Sequence, residues 1–304
     1  MKHTIKITVA LVLFFFIAQV IGLLVINHYI DHAKTIETQA VVYRPLPYNI
    51  ERPEIKNESY SFIYISIAIL IGTGLALLLI KFRKLNLWRF WFFITILVTL
   101  SLAFAAFMNS VLAAILALII SAWKLYKPNL IIQNLSELFI YGGLASIFVP
   151  IINLFAAFML LVVISVYDLI AVFKTKHMIR LAKFQSKSKV FAGFFIPYKK
   201  IKMHEIKPIE SKKPRKITPE PEKSFAVLGG GDIGFTLIFA GVVMKGLMLK
   251  ETVLGGFLKT LIIPLFVSIA LLVLLLKARP NKFYPAMPIL TLGCFIGYLV
   301  VLLV

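Results

Sequence analysis

The chain has 304 residues, 60% of them hydrophobic and 15% charged, with a mean hydropathy of +0.93. A soluble globular domain carries about 25% charged residues, so that class is excluded and an all-α polytopic membrane protein is expected, with 1–304 as a single membrane domain; the alternation of a transmembrane barrel is absent. The net charge of +20 does not point to nucleic acid, because 15 of the 33 Lys and Arg lie between Lys174 and Lys223 and most others flank apolar runs, a topology signal plus a basic loop near membrane lipid.

The first apolar run spans 7–29 behind the basic Met1–Lys6. It is of membrane-spanning length and no small-residue cleavage site follows, so it reads as a retained span rather than a secretory signal. The 30–59 segment carries Tyr43-Arg-Pro-Leu-Pro47 and Glu51-Arg-Pro53, prolines that argue against a long regular element, and reads as a partly ordered extracytosolic loop. Further apolar segments follow at 60–81, 88–107, 109–126, 130–149, 151–173, 225–248, 252–276 and 285–304, about nine transmembrane helices in all. The join near Met108-Asn109-Ser110 is uncharged, so the third and fourth segments could merge, whereas Pro150 favours a break between the fifth and sixth.

Charge gives the orientation. Basic residues mark every second connection: Lys2 and Lys6, then Lys81, Arg83, Lys84 and Arg89, then Lys124 and Lys127, then the 174–224 loop, then Lys277, Arg279 and Lys282. The positive-inside rule then places the N-terminus in the cytosol and the C-terminus outside. Lys245, Lys250 and Lys259 oppose it, lying on the expected outer side. Within the 174–224 loop, 15 basic and 4 acidic residues make a basic cytosolic segment. Its first part, to Pro197, mixes apolar residues with lysines and could lie along the membrane surface; Lys207–Lys223 reads as disordered.

Inside the spans there are three carboxylates: Glu137, Asp168 and Asp232. An ionisable group in the bilayer costs about 2.5–3.5 kcal/mol on insertion scales, so it marks function by default. Asp168 lies in Ser165-Val-Tyr-Asp168 and Asp232 in Gly229-Gly-Gly-Asp232, on successive apolar segments. Two carboxylates can hydrolyse an amide if one is ionised and takes a proton from the attacking water while the other is neutral and donates to the carbonyl oxygen. In a poorly solvated site they share one proton, and neither has a fixed role. The glycines permit close backbone approach. Pro285-Ala-Met-Pro288 removes two amide donors, and an extended strip there could bind a substrate strand. Glu137, after Gln133 and Asn134, reads as lining a polar helix interface. No His-Glu-x-x-His spacing occurs, and neither a metal nor a cofactor is expected. The single cysteine, Cys294, allows no internal disulfide.

These elements together resemble the presenilin and signal peptide peptidase family of intramembrane aspartyl proteases, most of all its archaeal presenilin homologues. The Tyr-Asp motif of that family is matched by Tyr167-Asp168, its Gly-x-Gly-Asp motif by Gly229-Gly230-Gly231-Asp232, and its Pro-Ala-Leu motif in part by Pro285-Ala286-Met287. The resemblance implies a presenilin-like bundle and an aspartic endopeptidase that cuts transmembrane segments of membrane proteins. It implies that Asp168 and Asp232 are the catalytic pair, with Tyr167, Gly229, Gly231, Pro285, Ala286 and Met287 shaping the site or holding substrate. It also implies an archaeal-like cell membrane and the presenilin orientation. A homo-oligomer or accessory subunits are left open. The competing reading is an ion-coupled transporter or channel, which also uses intramembrane aspartates and broken spans; the lack of repeat symmetry between the halves opposes it.

Overall fold

The computed structural model describes residues 5–82, 84–174, 191–197, 225–278 and 284–304. Most of the basic stretch after Lys174, and the charges at Lys2, Arg83, Arg279 and Lys282, lie outside the described residues. The helices are α1 (Ile5–Tyr29), α2 (His32–Thr38), α3 (Ser61–Lys81), α4 (Leu85–Ala105), α5 (Ser110–Tyr126), α6 (Leu130–Phe148), α7 (Leu154–Leu169), α8 (Gly230–Leu247), α9 (Val253–Thr260), α10 (Ile262–Lys277) and α11 (Met287–Leu303). Among the described residues, seven helical stretches are long and apolar enough to cross a membrane, α9 and α10 counting as one. The remaining two apolar helices, α5 and α11, are 17 residues long, about 25 Å at 1.5 Å per residue and short of a hydrocarbon core of about 30 Å. A helix thus falls within each expected segment, and seven of the stretches meet the length and hydropathy of a span.

The breaks have local causes. Asn109, Asn129 and Asn153 sit just before α5, α6 and α7, and each side-chain oxygen accepts a backbone N–H of the first turn at 2.8–2.9 Å. Such caps satisfy donors a helix start leaves unpaired. The third and fourth segments are thus separate helices. Pro150 falls in a 3₁₀ turn, Val149–Ile151, that divides α6 from α7.

One expectation fails. The segment beginning at 225 starts as a strand, β2 (Phe225–Gly229), paired antiparallel with β1 (Gly193–Pro197) so that Gly193 faces Gly229 and Pro197 faces Phe225. Residues 193–197 therefore form a strand, while 175–190 of the stretch expected along the membrane surface lie outside the described residues. The strand holds to the bundle because α6 offers it polar groups. Asn134 donates to the Phe195 carbonyl at 2.8 Å and accepts its N–H at 2.9 Å, as a neighbouring strand would. Gly193 has φ +139, a conformation favouring glycine.

Helix α1 runs through the bundle, with Leu11, Phe15, Leu23 and Ile26 buried. Small residues let the backbones approach: a Cβ on Gly142 of α6 would stand 3.1 Å from the Gly22 Cα of α1, and one on Gly297 of α11 would stand 2.9 Å from the Ile263 Cα of α10. Lipid is as apolar as the side chains, so such close packing carries much of helix association. Helices α7, α8 and α11 meet on Phe158, whose ring lies 5.1 Å from Phe239, 4.9 Å from Phe295 and 5.3 Å from Tyr298. Aromatic pairs of this geometry contribute about 0.5–1.5 kcal/mol each beyond area burial.

The 30–59 segment contains one seven-residue helix, α2, and packs along one end of the bundle. Tyr48 donates to the Ser110 carbonyl at 2.6 Å and Arg52 to that of Ser146 at 3.3 Å. At the same end Lys245 lies 3.6 Å from Glu58, and Lys259 lies 2.5 Å from Glu251. Two of the three lysines that oppose the charge rule are thus paired with carboxylates.

Candidate active site

The site forms where α7 ends and α8 and α11 begin. Asp168 is buried in the last turn of α7, before a π-helical turn at Ile170–Lys174. Its Oδ2 accepts the Met287 N–H at 3.2 Å. Helix α11 has no side-chain cap of its own, because Ala286 precedes it. Asp168 supplies that cap from another helix, and the positive end of α11 faces its carboxylate. Deeper along the same contact, the Ser165 and Thr291 hydroxyls are 2.7 Å apart.

This alters the picture of Pro285-Ala-Met-Pro288. Among the described residues before α11, Tyr284–Ala286 lie outside regular structure; Met287 is 3% exposed and opens α11. With Met287 donating to Asp168, its amide is engaged rather than free in an extended strip. Pro285 and Ala286 stand just before that contact. Tyr167 is next to Asp168 in sequence, but its hydroxyl reaches across to α3, 3.3 Å from the Thr73 hydroxyl.

Asp232 stands in the first turn of α8, immediately after β2. The positive end of that helix favours a carboxylate there. The helices that carry the two aspartates, α7 and α8, pack against one another. A Cβ on Gly229 would stand 3.3 Å from Asp232 Oδ2, so that position favours a residue without one. The tightest position is Gly230, where a Cβ would come within 2.5 Å of the Tyr141 hydroxyl oxygen. Gly231 is different: it is exposed, and a Cβ there would meet nothing nearer than Phe235 at 3.7 Å. The glycine run is therefore a strand-to-helix junction.

Two groups bracing this junction carry weak sequence signals. Gln19 of α1 is fully buried and its amide donates to the Ile233 carbonyl and the Thr236 hydroxyl, both at 2.9 Å. A lone amide in an otherwise apolar span was its only sign. Tyr141 of α6, packed on Gly230, had none. Glu137 is not a free acid: its carboxylate is fully buried against Lys124 at 2.5 Å. Among the described residues no group of three His, Cys, Asp or Glu side chains could hold a metal.

An aspartate pair at helix ends in an apolar bundle, Asp168 buried and Asp232 half-buried, points to a class, the intramembrane aspartyl proteases. The comparisons agree. The profile of the family described as signal-peptide peptidase, presenilin aspartyl protease matches residues 47–304, and the chain belongs to that family. It is an integral membrane protein and an aspartic endopeptidase. The fold is similar to two solved structures of a presenilin family intramembrane aspartate protease. One, in a C222 crystal, is 18% identical with a TM-score of 0.60, covering 96% of this chain and 95% of that one. The other, in a P2 crystal, is 19% identical with a TM-score of 0.58, covering 97% and 96%. No curated protein sequence matches. Family membership sets the transporter reading aside.

Proposed function

We propose that Asp168 and Asp232 are the catalytic pair, hydrolysing peptide bonds within transmembrane segments. The observation that carries this reading is their convergence from the end of α7 and the start of α8, one capping α11 and the other seated on a glycine junction. The ionised carboxylate takes a proton from water as its oxygen attacks the carbonyl carbon; the neutral one protonates the carbonyl oxygen, giving a geminal diol. A proton then passes to the nitrogen, the C–N bond breaks, and a carboxylic acid and an amine leave with the pair again holding one proton. Gly229 keeps space beside Asp232, Gly231 leaves the approach open, and Pro285, Ala286 and Met287 hold Asp168 from the far side.

A helical substrate hides its carbonyls, so it must unwind. Strand β2 supports the geometry for this: among the described residues the sheet has two strands, an extended substrate could add to its edge, and β2 ends directly before Gly230. Substrate pairing with the sheet suits the structure better than pairing with Pro285–Met287, where Met287 already donates to Asp168. Tyr167 braces α7 against α3. We infer an N-in, C-out orientation in an archaeal-like cell membrane, supported by the basic ends near the site and the carboxylate partners of Lys245 and Lys259 at the opposite end.

The test is cleavage of a model transmembrane peptide in liposomes by wild type, Asp168→Asn and Asp232→Asn, with fragments read by mass spectrometry. Cuts inside the membrane segment, lost in both variants, are expected. Full activity in either variant would remove the dyad.

A further inference from the structure

Among the described residues, the most heavily buried charges are not the aspartates. Glu137 is 0% exposed and Lys124 is 4% exposed, facing each other between α5 and α6. Buried ion pairs rarely add net stability, because desolvation offsets their attraction. In hydrocarbon that cost is acute. What Glu137 connects gives the pair a purpose.

Both of its oxygens are occupied. Oε1 accepts from Lys124 Nζ at 2.5 Å and from the Gln133 amide at 3.0 Å; Oε2 accepts from the Tyr141 hydroxyl. Lys124 donates a second bond to the Ser136 hydroxyl at 2.9 Å, so its ammonium is also fixed. From this hub two arms reach the active-site junction. Gln133 donates to the Phe191 and Gly193 carbonyls, both at 3.0 Å, holding the end of β1 that faces Gly229. Tyr141 lays its ring along the glycine face of α8, its hydroxyl against Gly230 and its Cδ1 3.6 Å from where a Cβ on Gly234 would be. The same junction is tied to the strand side by the Gly230 N–H, which donates to the Ala192 carbonyl at 3.1 Å.

We propose that Lys124, Glu137 and Tyr141 form a buried positioning network that sets the seat of Asp232, with Glu137 fixing the Tyr141 hydroxyl on which the Gly230 backbone rests. None of the three touches the reacting atoms. Glu137 accepts the hydroxyl hydrogen, which fixes the ring, and the ring sets how closely the junction can approach α6. Lys124 holds Glu137 in place. Catalysis by two carboxylates tolerates little displacement, since a misplacement of about 1 Å can cost about 100-fold in rate. The inference rests on Asp232 being a reacting group.

The test uses full-length enzyme in liposomes, with kcat and KM for a transmembrane peptide and a thermal melt for each variant. Tyr141→Phe should lower kcat about tenfold or more with KM little changed. Gly230→Ala should lower kcat further, because its new methyl meets the Tyr141 hydroxyl. The double variant Gly230→Ala/Tyr141→Phe should recover activity above Gly230→Ala alone, because removing that oxygen frees the space. A substitution harmful by itself yet beneficial beside Gly230→Ala is a signature that general stabilisation does not produce. Glu137→Gln would strand the Lys124 ammonium and could fail to fold, so Lys124→Gln/Glu137→Gln, which removes both charges, is measured with it. That pair should reproduce the kcat loss. Wild-type kcat in Tyr141→Phe with no rescue of Gly230→Ala would overturn the proposal. Activity in Asp232→Asn would instead overturn the catalytic reading beneath it, so the two failures are distinguishable.

Discussion

The two aspartates are held by opposite means. Asp168 is fixed through its own carboxylate, which caps α11 at Met287 and stands near the Ser165–Thr291 contact. Asp232 is fixed through the backbone beneath it, by Gln19 at Ile233 and Thr236 and by Tyr141 at Gly230. The Asp168 side chain ties α7 to α11; that of Asp232 stays within its own junction, against the Gly229 amide, while neighbours hold its helix. A pair that must hold one proton between two carboxylates gains from such asymmetry, because the two environments need not be equal.

The largest expected effect tests the shared part. Asp168→Asn and Asp232→Asn should each reduce cleavage by about 10²–10⁴-fold, the range for losing a general acid or base, while both proteins still fold. Unequal loss of activity would mean that one carboxylate acts without the other.

Gln19→Leu tests whether Asp232 is held through backbone. It removes two buried hydrogen bonds, each contributing about 0.5–1.5 kcal/mol. Loss of melting temperature and of kcat is expected together, and Gln19→Glu, which sets an acceptor against the Ile233 carbonyl, should be no better; a tolerated Gln19→Glu would mean that the donation to Ile233 is not needed.

Much of this fold was legible in the sequence because apolar runs and their asparagine and proline ends are local signals. The break expected at Pro150 stands, whereas the join at Asn109, open in the sequence, is a capped helix start. The hairpin was not legible: β2 is apolar and runs directly into the apolar face of α8, while its partner lies across the lysine-rich stretch. Nothing local separates a five-residue apolar strand from the start of a span. Within the site, Asp168 and Asp232 stood out as charges in apolar runs, but the identity of the donor to Asp168 is a contact between residues 168 and 287. The prolines announced a break without saying that the next amide was used.

Replacing each aspartate by alanine should separate their structural roles. Asp168→Ala removes the cap on α11 and should cost about 1 kcal/mol, the usual loss for a cap. Asp232→Ala should cost less, since Gln19 and Tyr141 hold its turn. Thermal melts of both in one detergent decide this; equal losses would mean that Asp232 also braces the fold.

The smallest effect concerns Gly231. Its neighbours leave room for a methyl, it lies in the first turn of α8, and its φ is not positive. Alanine loses less backbone freedom than glycine, so Gly231→Ala should raise stability by about 0.5 kcal/mol. If glycine at this position serves the bound substrate, the same variant should raise KM with kcat kept, because the added methyl meets only what enters the site. A more stable enzyme with unchanged KM would place the requirement for glycine entirely at Gly229 and Gly230, where Asp232 and Tyr141 already stand in the way.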